Sequence, residues 1–153
     1  MTSPDRLFVQ ATCVAVDGAG VLLRGPSGTG KSDLALRLID TGALLVADDG
    51  VELRVEGGRL MAALPSAAPE SVRGRLEVRR LGILPVPSVP HARVALAIDM
   101  VAAETTDRLP EPQTIQWLGI DVPLLRLDPA PPSAAAKVRL AVRTLTGSII
   151  RPP

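Results

Sequence analysis

The sequence predicts an α/β domain, a mixed sheet with few helices, and three observations carry that prediction. Residues 21–47 read as a short apolar strand, a glycine-rich loop, an amphipathic stripe and a continuous apolar run. Residues 51–127 hold short alternating runs punctuated by Gly and Pro, the pattern of strands and turns. Only residues 32–41 and 134–146 place apolar side chains at helical spacing.

Taken in order, residues 7–16 alternate well enough for one strand, and Asp17-Gly18-Ala19-Gly20 reads as a turn. A strand over 21–24 feeds the glycine loop. Leu34, Ala35, Leu38 and Ile39 then form one helical stripe, which Gly42 stops. The apolar run 43–47 suits a strand buried on both faces. Strands over 51–55 and 59–63 flank a Glu56-Gly57-Gly58 hairpin turn. Residues 64–75, rich in Pro, Ser and Ala, read as irregular. Residues 76–86 carry two extended pieces around Leu81-Gly82-Ile83, and 93–100 is a strand. Residues 101–112 read as a surface connection, and 115–127 as extended chain broken at Pro123. Pro131 and Pro132 stand outside the last helix, 134–146, and Gly147 ends it.

The 153 residues suit a single domain, 1–153, with 46% hydrophobic content and room for a core. Seventeen basic against 16 acidic residues leave a net charge of +1, which excludes a strongly basic footprint for nucleic acid or a membrane surface. One cysteine, Cys13, makes no internal disulfide, and it reads as core packing. No apolar run approaches the roughly 20 residues that span a bilayer. The N-terminus lacks the charged start and apolar stretch of a signal peptide, so the expected location is cytoplasmic. Only Lys31 and Lys137 are lysines in a chain that otherwise uses arginine, a bias that fits GC-rich coding. One of the two falls in the glycine loop.

That loop is Gly25-Pro26-Ser27-Gly28-Thr29-Gly30-Lys31-Ser32, two glycines around four residues followed by Lys-Ser, the spacing of a phosphate loop. Glycines reach backbone angles closed to other residues, successive N–H groups point at phosphate oxygens, and the following helix adds partial positive charge. Lys31 is expected on the terminal phosphates of ATP and Ser32 on magnesium. The chain after the helix ends in Asp48 and Asp49, and the C-terminal ends of such strands lie beside the loop. Mutual repulsion between adjacent carboxylates favours one of them as a proton acceptor. The residues alone leave a protein kinase, a small-molecule kinase or ATPase, and a nucleotide-sensing regulator without transfer as alternatives.

Together, GPSGTGKSDLALRLI, the spacing to LVADD with its following VEL, and LEVRRLGI resemble the catalytic C-terminal domain of HPr kinase/phosphorylase. The likeness runs from about Leu7 to Gly82, with PSAAAKVRLAV similar to the end of that domain, and is strongest to the short alphaproteobacterial form without an N-terminal domain. It implies an ATP- and magnesium-dependent kinase for a serine of the phosphocarrier protein HPr, reversible with inorganic phosphate, and a hexamer. Carried over, Asp48 is the catalytic base and, when protonated, the acid of the reverse reaction. Asp49 and Glu77 support magnesium with Ser32. Arg79 is a candidate for the nucleotide or phosphate site. Lys137 and Arg139 are basic residues available to a partner protein or a neighbouring subunit.

Two positions depart from the family pattern. Gln10 stands where a histidine is usual, which removes a group that titrates near neutral pH. Arg80 stands where the signature has glycine, and its side chain is expected to crowd or re-aim the loop. His91, after Pro90, reads as a surface residue in a connection.

Overall fold

A computed structural model describes residues 5–26, 28–102 and 111–146. The strands are β1 (Arg6–Val9), β2 (Thr12–Val16), β3 (Ala19–Arg24), β4 (Leu44–Ala47), β5 (Val51–Glu56), β6 (Arg59–Ala63), β7 (Arg75–Val78), β8 (Gly82–Pro85), β9 (His91–Met100), β10 (Gln113–Trp117) and β11 (Ile120–Leu127). The helices are α1 (Lys31–Asp40) and α2 (Ala134–Thr146), with a short 3-10 turn at Glu70–Val72. Among the described residues this is the expected mixed sheet with few helices. Ser27, most of the connection over 101–112, and Gly147 lie outside the described residues.

Nine strands join in one sheet in the order β1-β5-β6-β9-β3-β2-β4, while β7 and β8 form a separate hairpin. Strand β9 is its axis. One edge of β9 runs parallel to β3, and the other takes β6 at His91–Arg93 and β11 at Ala97–Met100, which in turn pairs with β10. Strand β2 runs antiparallel between β3 and β4, so β3 and β4 point the same way and their C-terminal ends stand at one end of the sheet.

The two faces of this sheet have different cores. Val14, Val21, Leu23, Leu96 and Ile98 meet Leu34, Leu38, Val138 and Val142 of the helices, while Cys13, Leu22, Ala97, Leu53 and Val122 form a second cluster. On β9, Ala92 and Val94 belong to the second cluster, yet so does Ala97. The register against β3 slips between Gly20 and Val21, leaving Ala95 unpaired, and one extra residue reverses which face each later side chain takes.

Three sequence expectations change. The turn after β2 is only Asp17-Gly18, because Ala19 and Gly20, expected in the turn, already pair with Val16 and Ala15 as the start of β3. Residues 7–16 form two strands, not one, because β1 leaves at Val9 to pair with β5 while β2 pairs with β3 and β4. The chain over 115–127 breaks at Leu118-Gly119, both with positive φ (52° and 81°), and not at Pro123. Pro123 is tolerated within β11 because pairing with β9 begins only at Leu124, so its missing N–H takes nothing from that ladder. Leucine is a poor turn former, and nothing local advertises this two-residue hairpin except the glycine.

Candidate active site

The phosphate loop leaves β3 and enters α1. Gly25, Gly28 and Gly30 have φ of 155°, 85° and 96°, angles that favour glycine. A Cβ on Gly25 would lie 2.6 Å from Thr29 Oγ1 and 3.2 Å from Met100 Cβ, so this turn requires glycine twice over. The Pro26 carbonyl accepts from Thr29 N at 3.3 Å, Thr29 Oγ1 at 2.7 Å and Lys31 Nζ at 3.3 Å. Lys31 also donates to the Gly25 carbonyl and is 93% buried, so its ammonium is centred within the loop. The loop thereby holds a positive charge beneath the helix N-terminus.

Asp48 follows β4 and gathers three donors. Its Oδ1 accepts from Thr12 Oγ1 and Ser32 Oγ, both at 3.0 Å, and its Oδ2 accepts from the Glu77 backbone N–H at 3.0 Å. Asp49 adopts φ 57°, a left-handed angle that aspartate tolerates, and its N–H donates to Thr12 Oγ1 at 3.2 Å. That turn separates the two side chains. Asp48 is half-buried and engaged, whereas Asp49 is exposed and lines a cavity of about 890 Å³.

Lys31, Ser32, Glu77, Arg79 and Arg80 line the same cavity, along with Gly28 and Gly30. Of the expected site residues, Gly25 and Pro26 shape the loop from behind and Thr29 braces it. Glu77 and Arg79 arrive on the β7–β8 hairpin, anchored by the fully buried Leu76 packed in the helix-side core. The oxygen set of Ser32, Asp49 and Glu77 suits a hard cation such as magnesium. Among the described residues no three His, Cys, Asp or Glu side chains cluster tightly enough to hold a metal by themselves.

Thr12 is a site residue the sequence reading missed. It is fully buried and touches both aspartates, but a threonine in an apolar strand carries no motif. Gln10 is exposed at the break between β1 and β2 and is not among the residues lining the cavity. His91 is exposed as expected, though it starts β9 and is not in a connection. Arg139 is turned inward: its guanidinium donates to Leu38 O at 2.6 Å and, through Nε, to Thr41 Oγ1 at 3.0 Å. Lys137 is exposed.

Comparison with known proteins agrees with this geometry. The profile of the HPr Serine kinase C-terminal domain matches residues 4–142. The chain is 38% identical over 137 residues to HPr kinase/phosphorylase of Caldanaerobacter subterraneus subsp. tengcongensis, covering 82% of this chain and 44% of that protein. It is 38% identical over 134 residues to HPr kinase/phosphorylase of Geobacillus thermodenitrificans, covering 80% and 42%. The chain thus spans less than half the length of these relatives. The structure of the Hpr(Ser) kinase/phosphatase from Coxiella burnetii superposes with a TM-score of 0.74 at 30% identity, covering 93% of this chain and 89% of that one.

Proposed function

This chain belongs to the HPr serine kinase C-terminal domain family, and from that premise we propose that it transfers the terminal phosphoryl group of ATP to a serine of an HPr-type phosphocarrier protein. The reverse reaction would be phosphorolysis, in which inorganic phosphate attacks the phosphoserine phosphorus and the serine oxygen leaves with a proton. One observation carries the reading. Asp48 accepts hydrogen bonds from Ser32 of the phosphate loop and from the backbone of Glu77, so the two sequence signatures form one site.

The roles expected of the two aspartates are exchanged in this reading. Asp48 has three donors on its two oxygens and holds the Ser32 hydroxyl in place; Asp49, facing the cavity, takes the proton of the incoming serine. The serine oxygen attacks the terminal phosphorus and ADP leaves. Lys31 and the loop N–H groups meet the charge spread over the transferring group. Ser32, held by Asp48, and Glu77 would hold magnesium, which would neutralise charge on the phosphate oxygens. In reverse, protonated Asp49 returns its proton to the departing serine oxygen.

Intact-mass measurement of HPr from the same organism, incubated with this protein, ATP and magnesium, tests the proposal. One added phosphate on serine is expected, lost again on adding inorganic phosphate. Asp49→Asn should bind ATP but slow transfer by about 10²–10⁴-fold, and Lys31→Ala should abolish it. An Asp49→Asn enzyme at full rate, with Asp48→Asn inactive and still binding ATP, would restore the base to Asp48. ATP binding without any mass change favours a nucleotide-sensing regulator, and product formation without HPr favours a small-molecule kinase. A hexamer, and the kinship with the short alphaproteobacterial form, rest on resemblance; light scattering of the purified protein tests the first.

A further inference from the structure

Resting on the reading of the loop as a phosphate site, we propose that Arg80 is a phosphoryl-oxygen ligand supplied to the cavity from the β7–β8 hairpin. The β7–β8 turn is a short one, closed by Leu81 N donating to Val78 O at 3.0 Å. Arg80 occupies it with φ 73°, a left-handed angle at which arginine is strained and glycine is not. The strand that follows opens with glycine, Gly82 with φ 115°. A side chain is therefore kept at a position where the backbone favours having none.

Its surroundings supply a purpose for that side chain. Arg80 lines the cavity shared by Lys31 and Ser32, and none of the hydrogen bonds or ion pairs found among the described residues involves it. The cavity also carries Asp33, Asp49 and Glu77, so an anionic ligand meets three carboxylates. Beside Lys31, which also donates to the Gly25 and Pro26 carbonyls, Arg79 and Arg80 are the cations that line the cavity among the described residues. The hairpin is no loose arm. Leu76 is buried in the core and the Glu77 N–H is bound to Asp48, so Arg80 is carried on a turn held in register with the loop. A guanidinium so placed offers a planar fork to two phosphoryl oxygens.

The phosphoryl group is either the terminal one of the nucleotide or inorganic phosphate, and calorimetry separates them. Wild type, Arg80→Gly and Arg80→Lys would be titrated with ATP, with AMP, and with inorganic phosphate in the presence of ADP, at low salt and at high salt. Arg80→Gly should bind one of ATP or inorganic phosphate about tenfold more weakly, with AMP affinity unchanged. ATP weakened identifies the nucleotide; phosphate weakened identifies the second ligand. The deficit should shrink in high salt, Arg80→Lys should recover part of it, and unliganded Arg80→Gly should melt at a higher temperature than wild type. Unchanged affinity for both ligands, or an equal loss for AMP, overturns the role of Arg80 while leaving the phosphate loop intact. Wild-type protein that binds neither ATP nor phosphate would overturn both readings.

Discussion

Single residues in this chain take their character from what the strands do with them. Cys13 faces the second core, fully buried between β3 and β4, and burial pushes its thiol up to about 12, only partly offset by a hydrogen bond with the Val21 backbone. Native protein should therefore resist alkylation by iodoacetamide at pH 8, with full reaction only in denaturant; rapid labelling of the native form would contradict the burial. The sign of the linked stability follows. The folded thiol keeps its proton above the usual value of 9.0, so the contribution is intact below about pH 9 and falls between about pH 9 and 12 by up to about 1.4 kcal/mol per pH unit. Urea titrations across that range should show the slope in wild type and lose it in Cys13→Ala. The phosphate-loop residues were legible in the sequence because their spacing is their geometry. That Asp48 is held by three donors while Asp49 faces the cavity was not, since it turns on one left-handed angle at Asp49.

Elements are joined here by side chains reaching the ends of their neighbours. Helix α1 ends as its sequence predicts, with Gly42 at φ 113° and its N–H donating to Ile39 O at 3.0 Å. Arg139 of α2 joins that end by donating to Leu38 O, which also accepts from the Thr41 and Ala43 N–H groups. Arg139→Ala should lower stability by about 1–2 kcal/mol in urea denaturation, and Lys137→Ala by far less. Equal effects would show that the fork to α1 contributes nothing. Arg37 does similar work at the other end of the connection, donating to the carbonyls of Pro129 and Pro131 at 2.5 and 3.2 Å. Arg139, expected to face a partner protein or a neighbouring subunit, turns inward instead, because a charged side chain's target can be a distant backbone carbonyl that leaves no local mark in sequence.

At the scale of the molecule, two cores lie on opposite faces of shared strands. Val21 and Leu23 point to one and Leu22 to the other, so neither can melt while β3 holds its register. Unfolding should therefore be a single transition. Far-ultraviolet circular dichroism reports chiefly the helices of the first core. Trp117, the only tryptophan, packs against the second core and lies beneath the Arg24 guanidinium at 5.4 Å. The two signals should share one midpoint on heating, and separated midpoints would show that the faces fold independently.

The sequence by itself determined most of the elements and the position of the loop, because hydrophobic period, turn residues and Gly-Lys-Ser spacing are local properties of the chain. It placed the β5–β6 hairpin, both helices and the eight-residue loop from such signals. Tertiary structure alone decided the rest. Which strands pair, the Ala95 bulge that swaps faces of β9, the burial of Thr12 against two aspartates, and the approach of the Glu77 hairpin to Asp48 all join residues far apart in the chain. Such contacts are chosen by packing and by hydrogen-bond partners brought from elsewhere, and no window of sequence contains them.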